Sequence, residues 1–299
     1  MRGPEAGTES RIDDWVLLLR PTQWVKNGFV LAALVFSLRL LQPQPLLRSL
    51  LAFVVFCAAS SAGYILNDVA DAQRDRLHPE KSGRPVASAR IAPHAAAKAA
   101  ALLAAAALAG GAVLGPRFCA CVVAFLALQA LYTTRLKHLV VLDAIAIAGG
   151  FVLRTEAGVV AAGARMSKWL FLTTFLLALF LALAKRRHEL LLLGADAGAH
   201  RGVLEQYRTT PLDPLIVLLA GGVVGVYIQY TLAAKVAARL GTGHLYLTVP
   251  FVVFGVFRYL LLIYGREQGG NPTGILFGDR PLQIAVALWA VTVISLLYG

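Results

Sequence analysis

The run from Asn67 to Pro85 follows directly on an apolar stretch and holds Asp68, Asp71 and Asp75, three of the 16 acidic residues of the chain. These aspartates recur at helical spacing, and Asn67 stands four residues before Asp71, so a helix is predicted to carry a row of hard oxygen donors. Like charges three and four residues apart repel unless a cation joins them, which argues against the plain alternative of a solvated charged loop. Mg²⁺ suits such a row, because it takes a few carboxylates, keeps waters and accepts substrate phosphate oxygens. His78, Lys81 and Arg84 come next, donors of the kind that grip phosphate.

Further polar residues stand at other boundaries of apolar segments. Arg20-Pro-Thr-Gln23-Trp24-Val-Lys26-Asn27 precedes one, and Tyr132 to Lys137 and His138 separates two others. Asp143, Arg154 and Glu156 fall inside or at the rim of an apolar helix, where an ionised group costs about 2.5–3.5 kcal/mol at mid-depth. They are expected either to pair, Asp143 or Glu156 with Arg154, or to face a polar pocket. Lys185-Arg186-Arg187-His188-Glu189 ends another apolar segment and reads either as a topological anchor or as a phosphate site.

The elements that must position these groups are membrane helices. Hydrophobic residues make up 58% of the 299 and charged residues 15%, with a mean hydropathy of +0.70, which excludes an ordinary soluble domain. Nine apolar stretches are predicted to cross a bilayer as helices: about Asn27 to Leu41, Leu46 to Leu66, Ala95 to Leu114, Phe118 to Thr134, Val140 to Gly163, Trp169 to Ala184, Leu212 to Ala234, Leu245 to Tyr264 and Leu282 to Tyr298. The first is the shortest. Ahead of it, Asp13 to Leu19 reads as a short interfacial helix, residues 1–12 as a disordered tail without a signal-peptide pattern, and residues 13–299 as one domain. Gly274 to Pro281 reads as a turn and helix start.

The net charge of +12 follows the membrane rather than marking a nucleic-acid binder. Alternate connections carry most of the Lys and Arg, whereas the opposite side has only Arg39, Arg48, Arg117, Arg165, Lys168, Lys235 and Arg239. The positive-inside rule then puts the amino terminus and the aspartate row in the cytoplasm, and the carboxyl terminus outside. Cys57, Cys119 and Cys121 all lie within predicted spans and are expected to pack as small apolar residues.

Asn67-Asp68-x-x-Asp71-x-x-x-Asp75 after a second span resembles the first aspartate-rich motif of the UbiA-type membrane prenyltransferase superfamily. The resemblance implies a nine-helix bundle with a cytoplasmic active-site cavity and Mg²⁺ chemistry on a diphosphate. Members normally carry a second aspartate-rich motif after the sixth span; this chain has Lys185 to Glu189 and a lone Asp196 there. With Arg20 to Asn27 and His78-Pro-x-Lys81-x-x-Arg84-Pro, the pattern is similar to the decaprenyl-phosphate phosphoribosyltransferase branch. That branch takes 5-phosphoribosyl 1-diphosphate and a polyprenyl phosphate, releases pyrophosphate and feeds arabinan or other envelope glycans.

On this resemblance Asn67, Asp68, Asp71 and Asp75 hold the metal, and Lys81 and Arg84 meet the donor phosphates. Lys185 and Arg186 take the 5-phosphate or the lipid phosphate; Lys26, Asn27, Lys137 and Arg154 are secondary phosphate or ribose contacts. His78 binds phosphate, Tyr132 the sugar and Asp143 a ribose hydroxyl. The expected surroundings are the plasma membrane, with a homo-oligomer left open. The alternatives are an aromatic prenyltransferase using a prenyl diphosphate and a transporter or lipid-binding protein. The weakened second acidic motif counts against the first, and the gathering of polar groups at one face, not at mid-membrane, counts against the second.

Overall fold

The structure, a computed structural model, describes residues 6–193, 202–265 and 269–299. Gly194, Asp196, Arg201 and Arg266 lie outside the described residues. Helix α1 (Ala6–Leu19) leads into a 3-10 segment, Pro21–Gly28, and then α2 (Phe29–Phe36) and α3 (Pro43–Arg76). Next come α4 (Pro93–Leu114), α5 (Pro116–Thr134), α6 (Leu142–Ala161) and α7 (Lys168–Leu193). The chain continues through α8 (Gly202–Tyr207), α9 (Leu212–Leu232), α10 (Ala234–Leu240), α11 (Val249–Gly265), α12 (Pro272–Gly278) and α13 (Arg280–Tyr298).

Among the described residues, eight helices are long and apolar enough to cross a membrane, matching the second to ninth predicted spans. The first predicted span differs. It is a 3-10 segment running into the eight-residue α2, which stops where Leu38 turns left-handed at φ 59° and is followed by the Gln42-Pro43 start of α3. The segment still runs the length of the bundle: Arg20 meets Asp68 near one end of α3, and Arg39 donates to the Ala162 carbonyl at the other end of α6. Helix α1 begins at Ala6, ahead of Asp13, where the interfacial helix is expected to start.

The two largest of the apolar clusters in the bundle both draw on α6. Ala157 and Ala161 pack with α3, α4 and α5, while Ala144 packs with α7, α9, α11 and α13. The α2–α6 crossing is close enough that a Cβ on Gly158 would lie 1.9 Å from the Val30 carbonyl oxygen, so only glycine fits. At the end away from the aspartates, Arg48 donates to the Leu114 and Ala161 carbonyls at 2.6 and 3.3 Å, capping α4 and α6 together. The three cysteines are free, with Cys57 and Cys121 buried.

Helix α3 carries the site. Its 34 residues span about 51 Å at 1.5 Å per residue. The hydrocarbon layer is only about 30 Å thick, so the turns holding Asn67 to Asp75 lie toward or beyond its edge.

Candidate active site

A cavity of about 530 Å³ opens at the end of the bundle where α3, α5 and α7 finish and α6 begins. That volume lies within the ~300–1,000 Å³ typical of small-molecule sites. The 3-10 segment and α12 close its rim: Thr273 donates to Gln23 Oε1 at 3.4 Å, and Asn271 caps α12 by accepting from the Gly274 amide. Among the described residues, eight Lys and Arg side chains and four carboxylates line it. Such a balance suits a ligand bearing several phosphate charges.

Asn67, Asp71 and Asp75 form one stripe of the wall, with Tyr64 one turn before them. Spacing of four residues keeps them on one side of α3, while Asp68 is turned about 100° away. Asp68 does not line the cavity; it is 2% exposed and accepts from Arg20 at 2.7 Å and Arg84 at 2.9 Å. Arg84 also donates to Asp75 at 2.7 Å, and Lys137 donates to Asp71 at 2.6 Å. The cations stand beside the carboxylates and so offset their mutual repulsion.

Eleven predicted site residues meet at the cavity: Lys26, Asn67, Asp71, Asp75, His78, Lys81, Arg84, Tyr132, Lys137, Arg154 and Lys185. Four do not reach its surface, namely Asn27, Asp68, Asp143 and Arg186, exposed by only 0, 2, 0 and 1%. Asn27, expected to touch substrate, accepts from Arg154 Nε at 2.8 Å and Ser60 Oγ at 3.0 Å. It thereby orients the guanidinium, which also lies 4.6 Å from the centre of the Phe125 ring.

Asp143 and Arg186 are likewise structural. Arg186 Nε donates to Asp143 at 2.6 Å, another of its nitrogens donates to Glu189, and a third reaches the Tyr132 hydroxyl at 3.2 Å. Asp143 therefore takes its cation from α7, not from Arg154 as the shared helix suggested. Tyr207 on α8 donates to Asp143 at 2.6 Å and accepts from the Val141 amide at 2.9 Å. Burial first, then that bond to Asp143, raises the Tyr207 hydroxyl above its ordinary pKa, so it remains a protonated donor.

Sequence reasoning missed Tyr64, Gln129 and Thr273, and it quoted Arg20 and Gln23 within a motif without giving either a role. Tyr64 and Gln129 each stand three residues before a predicted site residue, Asn67 and Tyr132, so helical spacing carried their signal. Thr273 follows the Asn-Pro start of α12, where only the tertiary approach to Gln23 reveals a role.

The chain matches the UbiA prenyltransferase family over residues 28–267. It belongs to that family. This UbiA-family chain is 35% identical over 282 residues to the decaprenyl-phosphate phosphoribosyltransferase of Mycobacterium tuberculosis (strain ATCC 25618 / H37Rv), covering 93% of this chain and 92% of that one. It is 33% identical to the Corynebacterium glutamicum protein of the same description, covering 96% and 87%. Its fold is similar to that of a UbiA homolog from Archaeoglobus fulgidus solved with GPP and Mg²⁺, with a TM-score of 0.70 at 20% identity over 96% of this chain and 100% of that one. The same homolog has been solved with Cd²⁺, at a TM-score of 0.66 and 19% identity over 96% and 100% of the two chains. The fold and eight long apolar helices make this a multi-pass membrane protein.

The donor set fits a divalent cation of the Mg²⁺ type. Among the described residues no three His, Cys, Asp or Glu side chains converge as a closed cage. Asn67, Asp71 and Asp75 instead offer oxygens along one wall, an arrangement that suits an ion keeping its waters and taking substrate oxygens.

Proposed function

We propose that this UbiA-family protein transfers the 5-phosphoribosyl group of 5-phosphoribosyl 1-diphosphate to a polyprenyl phosphate such as decaprenyl phosphate, releasing pyrophosphate. The reading places one catalytic domain in the plasma membrane, with Arg20 to Phe36 counted as a ninth crossing and the cavity facing the cytoplasm. The observation that carries it is the charge of the cavity, whose eight cations outnumber its four carboxylates. Where a second acidic cluster would face a prenyl diphosphate, the end of α7 offers Lys185, while its Glu189 is engaged by the buried Arg186. The names of the relatives matched over more than nine-tenths of the chain support the same donor and acceptor.

Asn67, Asp71 and Asp75 would hold Mg²⁺, which when bound neutralises charge developing on the pyrophosphate leaving group. Arg84 and Lys137, beside those carboxylates, supply N–H donors to the donor phosphates, with Lys81 and Arg20 at the same wall. Arg154, fixed by Asn27 and Ser60, presents a positive charge deeper in the cavity. As the bond from ribose C1 to the diphosphate breaks, C1 gains oxocarbenium character and the lipid phosphate oxygen attacks from the opposite face, inverting C1. A phosphate monoester is already ionised at neutral pH, so the cavity needs no strong general base.

Pyrophosphate release by the purified protein tests the assignment. Release should require both 5-phosphoribosyl 1-diphosphate and a polyprenyl phosphate. Release from a prenyl diphosphate with an aromatic acceptor, and none from the phosphoribosyl donor, would overturn it.

A further inference from the structure

We propose that Asp68 is a positioning residue: one buried carboxylate that holds Arg20 and Arg84 ready for the diphosphate of the donor, leaving metal ligation to Asn67, Asp71 and Asp75. The inference rests on the function proposed above. A metal ligand needs an accessible oxygen, and Asp68 is 2% exposed, lies off the cavity surface and accepts from a guanidinium at each oxygen. Its two partners do line the cavity, with side chains 24 and 26% exposed. The carboxylate is therefore hidden while the charges it gathers are presented.

The backbone serves the same arrangement. Arg20 is left-handed, at φ 54° and ψ 57°, a conformation uncommon for a non-glycine residue. That turn between α1 and the 3-10 segment brings its side chain back across α3, where the guanidinium carbon also lies 5.4 Å from the centre of the Tyr64 ring. Arg84 uses one nitrogen for both Asp68 and Asp75. Asp68 is the partner that keeps Arg84 in place whichever group Asp75 serves. An arginine held this way has already lost the side-chain freedom that phosphate binding would otherwise cost.

The test separates metal from anion binding in the full chain in lipid nanodiscs. Mn²⁺ affinity is read by electron paramagnetic resonance, and inorganic pyrophosphate affinity by calorimetry at saturating Mn²⁺. Asp68→Asn should leave Mn²⁺ affinity within about threefold but weaken pyrophosphate about tenfold or more, the size of one charge-assisted hydrogen bond. Asp71→Asn should weaken Mn²⁺ itself by about tenfold or more. Should Asp68→Asn fail to fold, Arg20→Gln removes one of the two guanidiniums that Asp68 holds and carries the same two expectations. Mn²⁺ loss in Asp68→Asn equal to that in Asp71→Asn, or unchanged pyrophosphate affinity in the folded variants, would overturn the proposal. Failure of the wild type to use the phosphoribosyl donor would instead count against the function, and is read separately.

Discussion

Arg186 Nε donates to Asp143 Oδ2 at 2.6 Å, joining α7 to α6 with the two side chains 1 and 0% exposed. Removing Asp143 strips Arg186 of one of its two carboxylate partners and leaves Glu189, so the cost falls below the ~3–5 kcal/mol of a fully uncompensated buried charge. Asp143→Ala should still lower the thermal midpoint in nanodiscs clearly. An unchanged midpoint would show that the pair is not holding the two helices together.

Asp71 is the accessible centre of the oxygen row, and its Lys137 contact places a phosphate-binding charge beside it. Asp71→Asn should cut Mg²⁺-dependent turnover by about 10²-fold or more, the scale of losing one stabiliser of developing charge, while circular dichroism stays native. Near-normal turnover would remove Asp71 from the metal site.

Stripping divalent ions with EDTA should abolish transfer, and added Mg²⁺ should restore it. A bound divalent ion would join the diphosphate oxygens to those of Asn67, Asp71 and Asp75, which the wall's Lys and Arg cannot do as cations themselves. Full activity after complete chelation would exclude the ion from the reaction.

Gly158→Ala places a methyl group on the Val30 carbonyl, where the gap is 1.9 Å. Overpacking of this kind typically costs about 1–3 kcal/mol, and backbone contact puts it at the upper end. The variant should show a lower midpoint and α2 displaced from α6. A wild-type midpoint would mean that the crossing is looser than it stands here.

Periodicity and chemistry read together made the helical bundle and the Asn67–Asp71–Asp75 wall legible in the sequence. They did not distinguish Asp68, because a row of aspartates invites one role, although a single residue's offset turns Asp68 toward Arg20 and Arg84. Asn27, Asp143 and Arg186 looked like substrate contacts because polar residues at span ends are expensive to bury alone. Their partners lie 127, 43 and 43 residues away for the pairs Asn27–Arg154, Asp143–Arg186 and its converse, so tertiary structure alone shows that they satisfy one another. The short α2 escaped hydropathy because the apolar run continues past it through Leu38, Leu40 and Leu41; the left-handed turn at Leu38, not composition, ends it.

The central claim is the group transferred and the lipid that receives it. Mass spectrometry of lipid recovered after incubating the purified protein with 5-phosphoribosyl 1-diphosphate, decaprenyl phosphate and Mg²⁺ tests it most directly. The account predicts decaprenyl phosphate heavier by one phosphoribosyl unit, with one pyrophosphate released per product. Unmodified decaprenyl phosphate, together with a prenylated aromatic product when a prenyl diphosphate and an aromatic acceptor are supplied, would contradict it.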